Sequence, residues 1–363
     1  VPRPAPRVHR LLAGGVLAAA ILVCPSGWSA AAGTALAASG YVAPPYWAAL
    51  TRAGLATPVY AKAPSAALGS SGGPPGTLTQ VPVGVEVTAP NGTARVLLKA
   101  PKGWAVVGVA ASSAGIAAVE APLASLVPTA PLGLPWRVVV SSLTGPARMA
   151  YAYTGKGGRL YAMPSVAASA GHWAAVAVGT RGGHGLSLLV TGAFGSRAVA
   201  SAQVAAGIAP TRVAVGARGE IALYGLQETG HGAAPPSFPA SLHVVDLWTG
   251  PGTLVSAPGG FLTVEGAAVV KVQGDGSTVP VASLPVGDTV TALSGDGTGV
   301  VFVLKTSLGA VSAWAIGVAP RSLADVASLH PTAVFLTSAG LVAVAAQRHG
   351  RAVTVRYVAV TRS

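Results

Sequence analysis

The chain has 363 residues, 51% of them hydrophobic and only 9% charged, with 48 glycines, 29 prolines and a formal net charge of +13. Its single cysteine, Cys24, excludes an internal disulfide framework, thiolate-bound zinc and thiol catalysis downstream of it. Ten carboxylates against 23 Lys and Arg leave little material for acid–base chemistry, and no Lys/Arg cluster interleaved with aromatics marks a nucleic-acid surface.

Arg3, Arg7, His9 and Arg10 precede a stretch without charge that runs to Arg52. The apolar run from Leu11 to Val23 has the length of a signal-peptide core and falls short of the roughly 20 residues of a spanning helix. Ala35-Leu36-Ala37 fits a signal-peptidase site. Residues 1–37 are therefore expected to be a signal peptide or, if uncleaved, an N-terminal membrane anchor, with the body extracytoplasmic. Cys24 follows Leu22 and Val23 instead of a small residue, which does not fit lipid attachment. In residues 38–77, Pro44-Pro45 starts a candidate short helix over Tyr46–Leu50, and the run from Ser70 to Gly76 has linker composition.

From Leu78 onward the sequence reads as strand after strand. An early hairpin pairs Val83–Thr88 with Ala94–Lys99 around Pro90-Asn91-Gly92. Further hairpin units follow at Val106–Ala118, Ser165–Val178, Arg212–Tyr224 and, more faintly, Phe261–Val272, with turns at Gly115, Gly171, Gly219 and Gly266. The clearest copy is Val290–Leu304, and the last is Ala333–Val344 around Gly340. Third strands are expected at Arg137–Ser141, Leu186–Val190, Leu242–Leu247 and Val311–Ile316. Strand-and-turn units repeating in the forties, with four strands each, have the pattern of propeller blades. The expectation for residues 78–363 is thus an all-β domain, a β-propeller of six four-stranded blades with seven as the alternative. In this reading the early hairpin closes the ring by completing the last blade.

Within Leu293–Val303, the sequence strand, Ser294-Gly-Asp296-Gly297, strand resembles the signature of TolB-like and WD-repeat-like β-propellers. Val244-Val-Asp246-Leu-Trp-Thr-Gly250 is similar to the third-strand ending of many propellers. The other copies lack the aspartate, and no Trp-Asp pair ends the strands. The resemblance covers most of Ala105–Thr361, implies a fold, and brings no catalytic residue with it.

Chemistry has few carriers. Asp275 and Asp296 sit in Gly-Asp-Gly turns, where aspartate serves turn geometry, and neither turn supplies the alternating oxygens of a calcium loop. There is no Gly-x-Ser-x-Gly elbow and no phosphate loop with its lysine and helix. Trp104, Trp136, Trp173, Trp248 and Trp314 are expected to pack between blades, and His172 and His243 to lie on strands.

The scarce ionisable groups gather instead in loops between second and third strands: Arg181, His184, Glu228, His231, Lys305, Arg348, His349 and Arg351. The longest such loops, Glu120–Pro135 and Gln227–Ala240, are placed to shape a mouth on the same face. Solvated loops collect polar residues in any case, so composition alone accounts for three loop histidines. No metal site and no cofactor are expected. Fold signal without catalytic signal makes the expected function a secreted or cell-envelope, non-catalytic binding or scaffold protein. It is expected to act as a monomer on a protein, polysaccharide or other anionic surface ligand, touching membrane only through an uncleaved N-terminus. The alternative is an extracytoplasmic propeller enzyme, a lyase or glycoside-active protein, using His231 with Glu228. Few carboxylates also suit acidic surroundings, since little ion pairing is lost when acids protonate.

Overall fold

A computed structural model of the chain describes residues 49–51, 54–62, 80–89, 93–123, 135–154, 158–160, 164–181, 184–229, 234–250, 252–273, 275–295, 300–316, 320–325, 333–337, 340–349 and 352–360. Among them are seven small sheets that follow one another along the chain. The first contains β1 (Ala49–Thr51), β2 (Gly54–Lys62), β3 (Gln80–Thr88) and β4 (Ala94–Lys99); the second contains β5 (Trp104–Ala111), β6 (Gly115–Pro122), β7 (Trp136–Ser142) and β8 (Arg148–Tyr153). The third contains β9 (Gly158–Leu160), β10 (Ser165–Ser169), β11 (His172–Arg181), β12 (His184–Ala193) and β13 (Val199–Ala205); β9 continues the line of β10 along β11. β14 (Ile208–Val215), β15 (Ile221–Glu228) and β16 (Val244–Leu247) make the fourth. The fifth has β17 (Val255–Ala257), β18 (Gly260–Glu265), β19 (Ala268–Val272) and β20 (Thr278–Ser283). The sixth has β21 (Thr289–Gly295), β22 (Val300–Lys305), β23 (Val311–Ile316) and β24 (Pro320–Asp325), and the seventh β25 (Ala333–Thr337), β26 (Gly340–His349) and β27 (Ala352–Val360).

The all-β expectation holds over the described residues. Each sheet packs face to face on the next near its inner strands: β5 against β1 and β3, β10 against β5 and β6, β14 against β10 and β11, β17 against β14, β21 against β17, and β25 against β21 and β22. An inner sheet is therefore covered on both faces, which explains its almost continuous apolar strands. Side chains alternate between the two interfaces with the strand period of two. On β11, Trp173, Ala175 and Ala177 face the second sheet while Ala174 and Val176 face the fourth. On β15, Ile221 and Leu223 pack toward the third sheet and Ala222 and Tyr224 toward the fifth. Small residues on these strands let the sheets approach closely, so the alanines of these strands are part of the packing. Trp136, Trp173 and Trp248 are buried between sheets, as expected.

Several expectations are corrected. Ala49–Thr51 is a strand paired with β2 and not the end of a short helix, so β structure begins upstream of residue 78. The early hairpin is β3 and β4, which pair with β2 in a sheet of their own; it does not complete the last sheet, whose described strands number three. Phe261–Val272 holds the second and third strands of its sheet, because the short β17 before the Pro258-Gly259 turn is the true first strand. β16 pairs with β15 in parallel: the chain leaves β15 at Glu228 and returns to the level of Ile221 before pairing. Ala234 still accepts from the Gly207 and Ile208 N–H groups at the Glu228 end, so residues 234–240 lead back along the sheet. The return finishes in a single 3-10 turn, Ala240–Leu242, and His243 is an exposed residue with φ of +53° that precedes the strand.

Candidate functional site

Strand reversal places two kinds of connection at each end of these sheets. At one end, in the second to sixth sheets, the second-to-third connection meets the segment entering its sheet or the next. Leu123 N–H donates to the Gly103 carbonyl, Ala206 to Gly185, Thr229 to Gly207 and Leu284 to Ala267. In the sixth sheet the Ser307 N–H donates to Asp288 Oδ1 at 2.9 Å. These bonds satisfy backbone groups that would otherwise be lost from the ladders, and they fix the loops of that end to one another.

At the other end, first strands converge on small residues. The Ser112 hydroxyl donates to the Ala170 carbonyl at 2.6 Å, joining the second and third sheets. Ser169 Oγ lies 3.2 Å from Ser256 Oγ, joining the third sheet to the fifth. A Cβ added at Gly295 would stand 2.1 Å from the Ser256 carbonyl oxygen, so only glycine allows β21 to come this close to β17. Ser112, Ser169, Ser256 and Ser294 are all buried.

The expected ligand residues fall at the first end. Arg181 and His184 are cross-strand partners at the last rung of the β11–β12 hairpin. Glu228 is the final residue of β15, exposed and opposite Ile208, and Lys305 is the exposed final residue of β22. Arg348 and His349 end β26, opposite Val353 and Ala352. Side chains of Arg181, His184, Arg348 and His349 lie outside the described part, as do His231 and Arg351 altogether. His231 is flanked by Thr229 and Ala234, both of which hydrogen-bond to the 206–208 connection. The backbone thus brings Arg181 and His184 together, keeps Arg348 and His349 side by side on β26, and leaves Glu228 and Lys305 on two further sheets. No group of three His, Cys, Asp or Glu among the described residues is placed to hold a metal ion.

One charged cluster at this end was not visible in the sequence. Glu120 lies within β6, not in the loop expected to start there, and is 1% exposed. Its Oε2 accepts from Arg137 Nε at 2.6 Å, and Arg137 Nη2 is 2.5 Å from the same oxygen. The guanidinium also lies 4.7 Å from the centroid of the Trp104 ring, a cation–π distance. Burial pushes the Glu120 carboxyl above its ordinary value, and the hydrogen bond and charge of Arg137 counter it. The pair is a cross-strand rung, Glu120 opposite Arg137, and 16 residues intervene in the chain. No local motif encodes such a rung.

Asp275 behaves as a turn residue, its Oδ1 accepting from the Ser277 N–H at 2.9 Å and from the Ser277 hydroxyl at 2.6 Å. Residues 296–299, including Asp296, lie outside the described part.

No protein-family model matches the chain, and no curated protein matches it. Among solved structures, it is similar to a chain from a structural and mechanistic study of two prolyl endopeptidases, with 13% identity and a TM-score of 0.38. The match covers 74% of this chain and 41% of that one. At that distance the likeness carries no argument about this protein.

Proposed function

We propose that this protein is a non-catalytic β-propeller, exported to the cell envelope or beyond, that binds a protein, polysaccharide or other anionic surface ligand on its second-to-third loop face. The seven sheets that pack in series through their inner strands support seven blades. The observation that carries the functional reading is the difference between the two ends. Buried serines and Gly295 fill one end, whereas the other presents backbone-anchored loops and the ends of second strands, where Arg181, His184, Glu228, Lys305, Arg348 and His349 lie. Loops fixed on a rigid scaffold are where binding residues are usually found. The basic balance of the chain favours an anionic ligand.

The test is binding to an array of neutral and acidic envelope polysaccharides, comparing the parent with a variant in which Arg181, His184, His231 and Arg348 are all changed to alanine. Loss of most binding at unchanged folding is expected. Binding that survives the fourfold change overturns the site. The enzymatic alternative through Glu228 and His231 has less support, because Glu228 is exposed and a general acid–base pair works best where water is excluded.

A further inference from the structure

The second and third sheets pack on each other through β5, β6 and β10, and their outer strands, β8 and β13, face one another through side chains. On β8, Arg148 and Tyr151 are the cross-strand partners of Val140 and Val138; on β13, Ser201 and Gln203 are the partners of Val190 and Leu188. Those four aliphatic residues belong to the core shared by the two sheets. Cross-strand partners lie on one face, so Arg148, Tyr151, Ser201 and Gln203 all line the gap between the sheets. A side-chain hydrogen bond between Tyr151 and Gln203 crosses that gap. One step nearer the turns that lead into β8 and β13, the same register sets Arg148 against the exposed Ser201.

Arg148 lacks what Tyr151 has. Its Nη2 is buried and no described group accepts a hydrogen bond from it, which makes it the only charged group so placed among the described residues. Buried donors are almost always paired, and an unpaired cationic one costs more than a neutral one. The surrounding chain supplies no counter-charge: residues 121–219 contain eight Lys and Arg and not one Asp or Glu. The acids on either side of that run are taken, Glu120 by Arg137 on the face toward the first sheet and Glu220 by Arg218. Arg197, exposed in the turn before β13, puts a second cation at the same end.

We propose that the gap between β8 and β13 is a binding site for an oxyanion of the phosphate or sulfate class, held by the Arg148 guanidinium with the Ser201 hydroxyl opposite and Arg197 at the mouth. A guanidinium matches the geometry of such a group, and a doubly charged ion suits two cations with no acid beside them. The site lies at the opposite end of the sheets from the loop face, so it goes beyond the ligand-binding reading above and does not depend on it.

The test titrates the full chain with inorganic phosphate, and then sulfate, against chloride at matched ionic strength, following the arginine Nε–H resonances. The resonance that Arg148→Gln deletes should shift saturably with both oxyanions and not with chloride. In calorimetry Arg148→Gln should weaken phosphate binding at least about tenfold, the scale of one charge-assisted hydrogen bond, and Arg218→Gln should leave it unchanged. Ser201→Asp, an exposed change on an outer strand, supplies the missing carboxylate within the chain; it should weaken phosphate binding as much and not lower the urea midpoint. No saturable shift overturns the proposal, as does full phosphate affinity in Ser201→Asp or an equal loss in Arg218→Gln, which would mark a diffuse charge effect. Unchanged phosphate binding by the Arg181, His184, His231 and Arg348 variant is expected, and its loss there would overturn the location. A glycerol phosphate polymer that binds more tightly per group than the free ion assigns the oxyanion to an envelope polymer, and equal affinity assigns it to the free ion; either upholds the site.

Discussion

Ser169 Oγ and Ser256 Oγ lie 3.2 Å apart although 87 residues separate them, and the sheet between theirs in the chain is bypassed by the contact. Both side chains are almost fully buried, at 0% and 6% exposure. First strands from alternate sheets can meet like this only where they converge, and small side chains are what the convergence permits. The same geometry gives Gly295 of the Ser-Gly-Asp-Gly signature a packing role against Ser256 as well as a place in a turn.

Gly295→Ala should therefore destabilise the protein by about 1–3 kcal/mol, the usual cost of forcing an extra group into a filled interior. The urea midpoint measures it. A change confined to a few tenths of a kcal/mol, as for an exposed turn glycine, would contradict the close approach.

Arg137→Leu should cost about 2 kcal/mol at neutral pH, because it leaves Glu120 buried with no cation. The figure is set below that for a fully buried pair, since the Arg137 side chain is 22% exposed. Without Arg137, burial alone acts on Glu120 and its folded pKa rises further above the ordinary value of 4.5. Stability from a raised carboxyl is present below the unfolded pKa and is lost as pH rises through the folded one. The defect should thus be largest near pH 7 and fade toward pH 4 in denaturation curves measured across that range.

Asp288→Ala removes the acceptor of the Ser307 N–H, and a hydrogen bond to a charged group contributes about 1.5–3 kcal/mol. Faster hydrogen exchange at Ser307, with core amides unchanged, is the expected signature. The contact between the loop before β21 and the turn after β22 should then be lost.

Stability should vary little between roughly pH 3 and 7, because opposing carboxyl shifts offset one another. Burial raises Glu120 and Asp246, so their contributions diminish as pH rises. Glu220 is lowered despite its burial, by backbone hydrogen bonds at Glu220 and Arg218 and by the Arg218 side chain. Asp275 is lowered by the hydroxyl and N–H of Ser277. Contributions from these two diminish as pH falls. Thermal midpoints across the range test the balance, and a steep acid transition inside it would refute it.

Much of the strand pattern was legible in the chain. β23 falls at the expected Val311–Ile316, and the turns at Gly171, Gly219 and Gly340 join the strands they were expected to join. Local signals sufficed there, because apolar runs and turn residues act over a few positions. Where a strand was short or its partner distant, those signals failed: β17 has three residues, and β16 pairs only after a crossover. Both depend on neighbours that a local pattern cannot name.

For the loop face the division is similar. The sequence by itself placed Arg181, Glu228, Lys305 and Arg348 in loops between second and third strands, whereas in the structure β11, β15, β22 and β26 extend far enough to include them. Only the tertiary structure decided that serines from alternate sheets meet at the opposite end, that Glu120 is buried beneath Arg137, and that Asp288 clamps the turn at Ser307. Each of these joins residues far apart in the chain, and burial, charge pairing and close approach are set by what packs alongside a strand, not by what precedes it.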